Sequence, residues 1–270
     1  MPGVSESAWF PPDEPEAPRF LVSPLLAAAG LPHLFTTRHF PGVTLPRDPG
    51  SPFDAAALRV LAELGVTGGD PAFLRQVHGA DVLVAERHGL LGRADVVTTD
   101  RPQLPLAVFT ADCLPIVLYD PDRGRVALAH AGWRGTAESA ARAAARALIA
   151  AGGSPERLVC AIGPSIGPCC YEVDGPVIER FDAAFPDRGR AWVTSTGPGK
   201  WMLDLWRANA DQLAMDGVDP ARIDNPRLCT GCRADLFFSY RRGRGQGRLV
   251  AVASLPAPIS SPRPPAAGSR

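Results

Sequence analysis

Between Val82 and His130 the chain alternates short β-rich runs with turn residues, and this alternation constrains the fold more than any other feature. The runs are Val82–Ala85, Ala94–Thr98, Leu106–Thr110, Ile116–Tyr119 and Val126–His130. Each is apolar, often β-branched, and too short for a helix. Pro121–Gly124 joins the last two at hairpin spacing. A mixed or antiparallel sheet is expected. Downstream, Thr136 is placed to cap an alanine-rich helix with Glu138 in its first turn, ending at Gly152 and Gly153. A second helix is expected near Asp174 and a third near Asp204, the latter running through Leu205, Ala208 and Leu213 to Gly217. Strands at Phe237–Tyr240 and Leu249–Ala253 close the chain.

Three polar side chains stand at or beside the ends of these runs, where a core would be apolar: His78, Cys113 and His130. A sheet can bring such residues to one point despite their separation in sequence. Two imidazoles and a thiolate suit a catalytic zinc, which takes three protein ligands and keeps a fourth place for water or substrate. Taken singly, each has a plainer reading, since buried histidines and free cysteines are common in cores. Their flanks favour a site, because Gly79, the AlaGly after His130 and the LeuPro after Cys113 let backbone turn sharply beside a ligand.

With 270 residues, 46% of them hydrophobic, the chain can build one continuous core. Lys plus Arg and Asp plus Glu both number 28, and this balance argues against nucleic acid as a partner, because binding to a phosphate backbone rests on excess cation. No apolar stretch reaches the roughly 18 residues of a membrane helix and no secretory signal is seen, so a cytoplasmic protein is expected. Many of the 29 prolines crowd the two ends. Residues 1–18 and 256–270 are therefore expected to be disordered tails around a single catalytic domain over 19–255. Oligomeric state is not legible.

Around the triad, Arg134 follows Trp133 in a strand-to-helix turn and reads as a guanidinium fork for phosphate or carboxylate. Asp112 reads as an orienting partner for an imidazole, as a general base, or as a turn residue. Cys229 and Cys232 have the spacing of half a zinc ribbon, with no second CxxC to complete it. Cys160, Cys169 and Cys170 read as packing thiols. The Gly- and Pro-rich turn at 162–172 reads as a pocket lining.

Several long motifs, in fixed order, carry a family resemblance: Arg75–Val82, Ala94–Thr99, Thr110–Leu118, His130–Thr136, Ile162–Val173, Cys229–Thr230 and Phe237–Arg242. Over about Leu31 to Ser254 the chain resembles the YfiH-type family, also called the multicopper polyphenol oxidase or laccase-domain family. The resemblance implies a single α+β domain of mixed sheets sandwiched between helices, in α/β/β/α layers, with zinc on the positions of His78, Cys113 and His130. It also implies that Thr36, Thr37 and Arg38 approach the same pocket. There the chain departs from the pattern, with His39-Phe40-Pro41 before Gly42-Val43 instead of a GlyGlyValSer-like stretch and a later AsnArg.

The activity implied is a zinc-dependent purine nucleoside phosphorylase, acting on adenosine, inosine, guanosine and methylthioadenosine with phosphate, and also deaminating adenosine. Arg134 and Arg38 would hold phosphate, Asp112 would move protons, and zinc would activate water for attack on the purine C6. An alternative is a cysteine-nucleophile amidase acting on peptidoglycan precursors, with Cys113 attacking and a histidine as base. Copper-dependent phenol oxidation would need several His-rich sites, and the chain has five histidines. A non-catalytic metal-binding or partner-binding protein on the same fold is a further reading.

Overall fold

The computed structural model describes residues 6–12, 17–46, 50–243 and 247–257. From the N-terminus run β1 (Phe20–Leu21), α1 (Pro24–Ala28), β2 (His33–Thr36), α2 (Ala55–Glu63) and β3 (Ala72–Arg75). There follow β4 (Val82–Val84), β5 (Gly89–Arg93), β6 (Val96–Thr99), β7 (Leu106–Thr110), β8 (Leu114–Asp120) and β9 (Arg125–Ala131). Next come α3 (Trp133–Ala137), α4 (Ala140–Ala150), β10 (Val159–Ile162), β11 (Glu172–Asp174) and α5 (Gly175–Ala184). The chain ends with β12 (Val193–Gly197), β13 (Lys200–Leu203), α6 (Leu205–Met215), β14 (Ile223–Asp224), α7 (Tyr240–Gly243) and β15 (Leu249–Ala253).

Two six-stranded mixed sheets stack on each other, in the orders β1-β2-β15-β7-β3-β5 and β14-β10-β8-β9-β6-β4; a small sheet, β11-β13-β12, stands apart from them. Side-chain alternation explains the layers. On β8, Leu114, Ile116 and Leu118 face α4 and α6, while Val117 and Tyr119 face the other sheet. On β15, Leu249, Ala251 and Ala253 face inward between the sheets, and Val250 and Val252 face α2 through its Ala57, Val60 and Leu61. The result is the α/β/β/α sandwich of the α+β class. Strands apolar on both faces occupy its centre, which is why every residue of β8 is buried. Among the described residues no helix is long and apolar enough to cross a membrane.

The five strands expected between Val82 and His130, and the one at Leu249–Ala253, hold closely: Pro121–Gly124 joins β8 to β9, with Asp120 opposite Arg125. Helices begin after Asp174 and Asp204 as expected, and the third reaches its stop at Gly217, whose φ is +91°. Three expectations fail. Thr136 is no cap, because the helical turn already begins at Trp133 behind Gly132. Ser139, at φ 67°, breaks the run, and α4 starts after it. Buried Thr136 instead accepts a hydrogen bond from Asn209 Nδ2, which ties α3 to α6.

Phe237–Tyr240 forms no strand. Leu236 and Phe237 donate back to the Arg233 carbonyl oxygen, turning the segment, and the apolar character of Phe237 serves burial between the sheets. The N-terminal segment also departs from the expected tail over its described part: Glu6–Trp9 is a 3-10 turn. Trp9 is fully buried and its Nε1 donates to Asp224 at 3.2 Å, so one large aromatic anchors an otherwise Pro-rich segment. Residues 258–270, in the expected C-terminal tail, lie outside the described residues.

Candidate active site and its metal ligands

His130, next to last in β9, lies on the face that looks between the two large sheets, and Cys113 immediately precedes its neighbour β8, where Pro115 pairs with His130. His78 arrives from the loop after β3, at φ 66°. The donor atoms of the three lie within 4.8 Å of one another, and the two imidazoles meet edge to face at 4.9 Å. Gly132 makes this approach possible: a Cβ there would stand 2.7 Å from Cys113 Sγ and 3.4 Å from His78 Cδ2.

Asp95, just before β6, organises the cluster. Its buried carboxylate accepts from the backbone N–H of Val77 (3.1 Å), His78 (2.9 Å) and Gly79 (2.7 Å), and lies 2.8 Å from His130 Nδ1. Burial pushes its pKa up, but the hydrogen bond from His130 and the amides of Gly79 and His78 outweigh this and hold the group below the ordinary carboxylate range. Nδ1 of His130 is thus committed, and Nε2 is left for the site. This carboxylate–histidine arrangement is how metal-ligating imidazoles are oriented.

Burial would push the Cys113 thiol up, yet the charge of His130 and hydrogen bonds from both imidazoles bring it down to about 6. Burial would lower His130, while the Cys113 thiolate and Asp95 raise it to about 9. One thiolate, two imidazoles, one of them oriented by Asp95, and spacings of this size fit a single ion at ~2.0 to 2.3 Å bonds. The other histidines are engaged elsewhere: His33 between Ser23 N and the Leu31 carbonyl, His39 on the Asp235 carbonyl, and His88 on that of Asp70. Among the described residues, none of these three joins a group of side chains placed to hold a metal ion.

The triad opens into a cavity of about 620 Å³. Phe109, Trp133, Ile166, Tyr171, Leu205 and Tyr240 supply its apolar and aromatic wall, and Arg134, Arg241 and Arg248 its positive charge. Arg134 stacks over Trp133 at 4.4 Å and Arg241 over Tyr171 at 5.1 Å. Asp112 also lines the cavity, at φ 86°. It orients no imidazole; its carboxylate accepts from Thr230 Oγ1 (2.6 Å) and Arg241 N (2.7 Å).

The structure therefore gathers His78, Cys113, His130, Asp112 and Arg134 in one place. It does not bring Arg38 to the cavity wall: that guanidinium donates to the Ala234 carbonyl at 2.5 Å and stacks over Phe238. Thr36 and Thr37 are buried, donating to or accepting from backbone groups of the first sheet and the Pro18–Arg19 segment. Asp95, Arg241 and Arg248 were missed. Asp95 stands near the start of the strand-like run Ala94–Thr98, where it reads as part of the strand, and the two arginines sit in a basic stretch that reads as surface.

Such a site on such a sandwich defines a class, and comparison with known proteins agrees. Residues 48–256 match the family model described as multi-copper polyphenol oxidoreductase laccase, and the chain belongs to this family. It is 38% identical over 245 residues to a purine nucleoside phosphorylase of Deinococcus radiodurans, covering 86% of this chain and 93% of that one. It is 36% identical to adenosine deaminase RL5 from an unknown prokaryotic organism, covering 72% and 78%. The crystal structure of YlmD from Geobacillus stearothermophilus superposes with a TM-score of 0.79 at 32% identity, over 90% of this chain and 98% of that one.

Proposed function

We propose that this chain is a zinc-dependent purine nucleoside phosphorylase that also deaminates adenosine. The observation that carries the reading is the convergence of His78, Cys113 and His130 within 4.8 Å at a cavity ringed by Arg134, Arg241 and Arg248. The names of the Deinococcus and RL5 relatives support the two activities. A mixed thiolate and imidazole set suits zinc. Bound there, zinc supplies a Lewis acid that makes water nucleophilic near neutral pH.

In phosphorolysis the bond from C1′ to the purine nitrogen breaks, a phosphate oxygen bonds to C1′, and the base leaves with a proton. The guanidiniums of Arg134 and Arg241 hold the phosphate dianion, and its charge stabilises the cation developing on the sugar. Trp133, Tyr171 and Tyr240 offer flat faces for a purine or its sugar, and the apolar wall excludes water. Adenosine, inosine, guanosine and methylthioadenosine are the substrates proposed. In deamination water adds at C6 and ammonia departs. Asp112 is the proton carrier, since each of its oxygens accepts one hydrogen bond and keeps a further lone pair.

The test is to incubate pure protein with adenosine or inosine, with and without phosphate. Free base and ribose 1-phosphate should appear only with phosphate, and inosine should form from adenosine in either case. Arg134→Gln should raise the KM for phosphate by roughly tenfold. No product from any purine nucleoside would end the proposal.

One observation favours a second reading. The Cys113 thiolate beside the His130 imidazolium is a nucleophile–acid pair of the kind used by cysteine amidases. Chelation separates the two: it stops phosphorolysis and leaves a cysteine amidase active.

A further inference from the structure

Outside the catalytic cavity, Cys169, Cys170, Cys229 and Cys232 form a second cluster. Their sulfurs all lie within 4.8 Å of one another, and Cys232 Sγ stands 3.4 Å from both Cys169 Sγ and Cys170 Sγ. All four are free thiols. Around a tetrahedral ion with ~2.3 Å bonds, neighbouring sulfurs sit ~3.8 Å apart, so small shifts would complete the shell.

The backbone is shaped for this convergence. Cys169 and Cys170 sit in a turn, closed by the Cys170 amide on the Gly167 carbonyl, and not on a strand that would send them to opposite faces. Cys229 and Cys232 form a knuckle in which the amides of Cys232 and Arg233 both donate to the Cys229 carbonyl, at 3.1 and 3.0 Å. Gly231 lies so near that a Cβ would stand 2.9 Å from Cys170 Cβ and 3.1 Å from its sulfur. Gly167 N donates to Cys229 Sγ at 3.2 Å, and Arg242 Nη2 reaches Cys170 Sγ at 3.7 Å. Those donors suit thiolates, whose negative charge they offset.

We propose that these four cysteines bind a structural zinc ion as a closed tetrathiolate, distinct from the three-ligand site at His78, Cys113 and His130. Four sulfurs this close enclose one ion and leave no room for a multi-iron cluster. Binding deprotonates the four thiols and releases four protons, with no change of oxidation state. The ion joins the 163–171 turn to the 228–236 turn, already bridged between Ser165 and Cys229. Those turns carry Ile166 of the cavity wall and Thr230, which holds Asp112.

The test is metal counting by native mass spectrometry on the full chain, purified under reducing conditions without chelator. The wild type should carry two zinc ions, and the His78→Ala/Cys113→Ala variant one. Cobalt loaded into that variant should give the sulfur-to-metal charge-transfer and intense visible bands of a tetrathiolate tetrahedron. Cys229→Ser/Cys232→Ser should lose this ion; if it does not fold, the cobalt spectrum of the first variant decides alone. A metal-free His78→Ala/Cys113→Ala protein, iron in place of zinc, or an intact mass two hydrogens lighter from a disulfide among the four would overturn the proposal.

Discussion

The two sulfur-bearing clusters are built in opposite ways. The donors at His78, Cys113 and His130 are set by strands: two flank neighbouring strands of one sheet, and Asp95 behind them fixes an imidazole and three backbone amides. Those at Cys169, Cys170, Cys229 and Cys232 are set by turns near the surface, with two of the four exposed. The first gathers three donors beside a cavity; the second gathers four. On the proposals above, rigid strands would hold an incomplete shell open for chemistry, whereas short turns would suffice for a shell that only needs to close.

Removing a ligand tests this contrast most severely. His78→Ala should lower phosphorolysis by on the order of a thousandfold or more, while the metal on the cysteine cluster stays. Loss of both ions in one variant would mean that the sites are not independent. Asp95→Ala comes next. It strips the acceptor from three amides and from His130, and should weaken metal binding at the strand-borne site by roughly 10- to 100-fold, read by chelator competition. Unfolding in urea should show a loss of about 3 kcal/mol, since buried donors are left unpaired. Unchanged affinity would show that strands alone position the imidazole.

The same contrast decides what the sequence reveals. His78, Cys113 and His130 are legible because each is a potential metal ligand at or beside the end of a strand-like run, and Pro121–Gly124 announces the hairpin that joins two of their strands. The cysteine cluster is legible only as a half-motif: pairing 169–170 with 229–232 depends on two turns meeting across about 60 residues, which no local pattern encodes. Asp95 escapes because its partners are mostly backbone amides, and amides carry no residue signature. Arg241 escapes because a cation in a basic run reads as surface until the fold turns it over Tyr171. Trp9 escapes because Pro-rich composition outweighs a single aromatic, although one buried indole is enough to anchor the segment.

Proton chemistry gives a gentler probe. In metal-free protein the Cys113 thiol, brought down to about 6 by its imidazoles, is ionised above that pH. Its alkylation should rise from pH 5 to 7 and then level off, about threefold faster at pH 7 than an ordinary thiol, which continues to gain until above pH 8. Cys160, fully buried and pushed up to about 12, should stay unreactive throughout. Mass spectrometry of the labelled peptides separates the two, and a Cys113 profile that keeps rising beyond pH 8 would remove the imidazolium partner from the account.

The smallest effect is expected where the two clusters meet. Thr230 lies between Cys229 and Cys232, and its hydroxyl donates to Asp112 Oδ1 at 2.6 Å from within the buried wall. Thr230→Val keeps the shape and removes one hydrogen bond to a carboxylate, a change of about 1.5 kcal/mol. Because Arg241 N still donates to the other oxygen, the carboxylate stays in place but is held less firmly. A proton carrier so loosened lowers kcat a few-fold with KM and both metal counts unaltered. If kcat is unaltered as well, Asp112 moves no proton, and the turn that the cysteines close supports the cavity by packing alone.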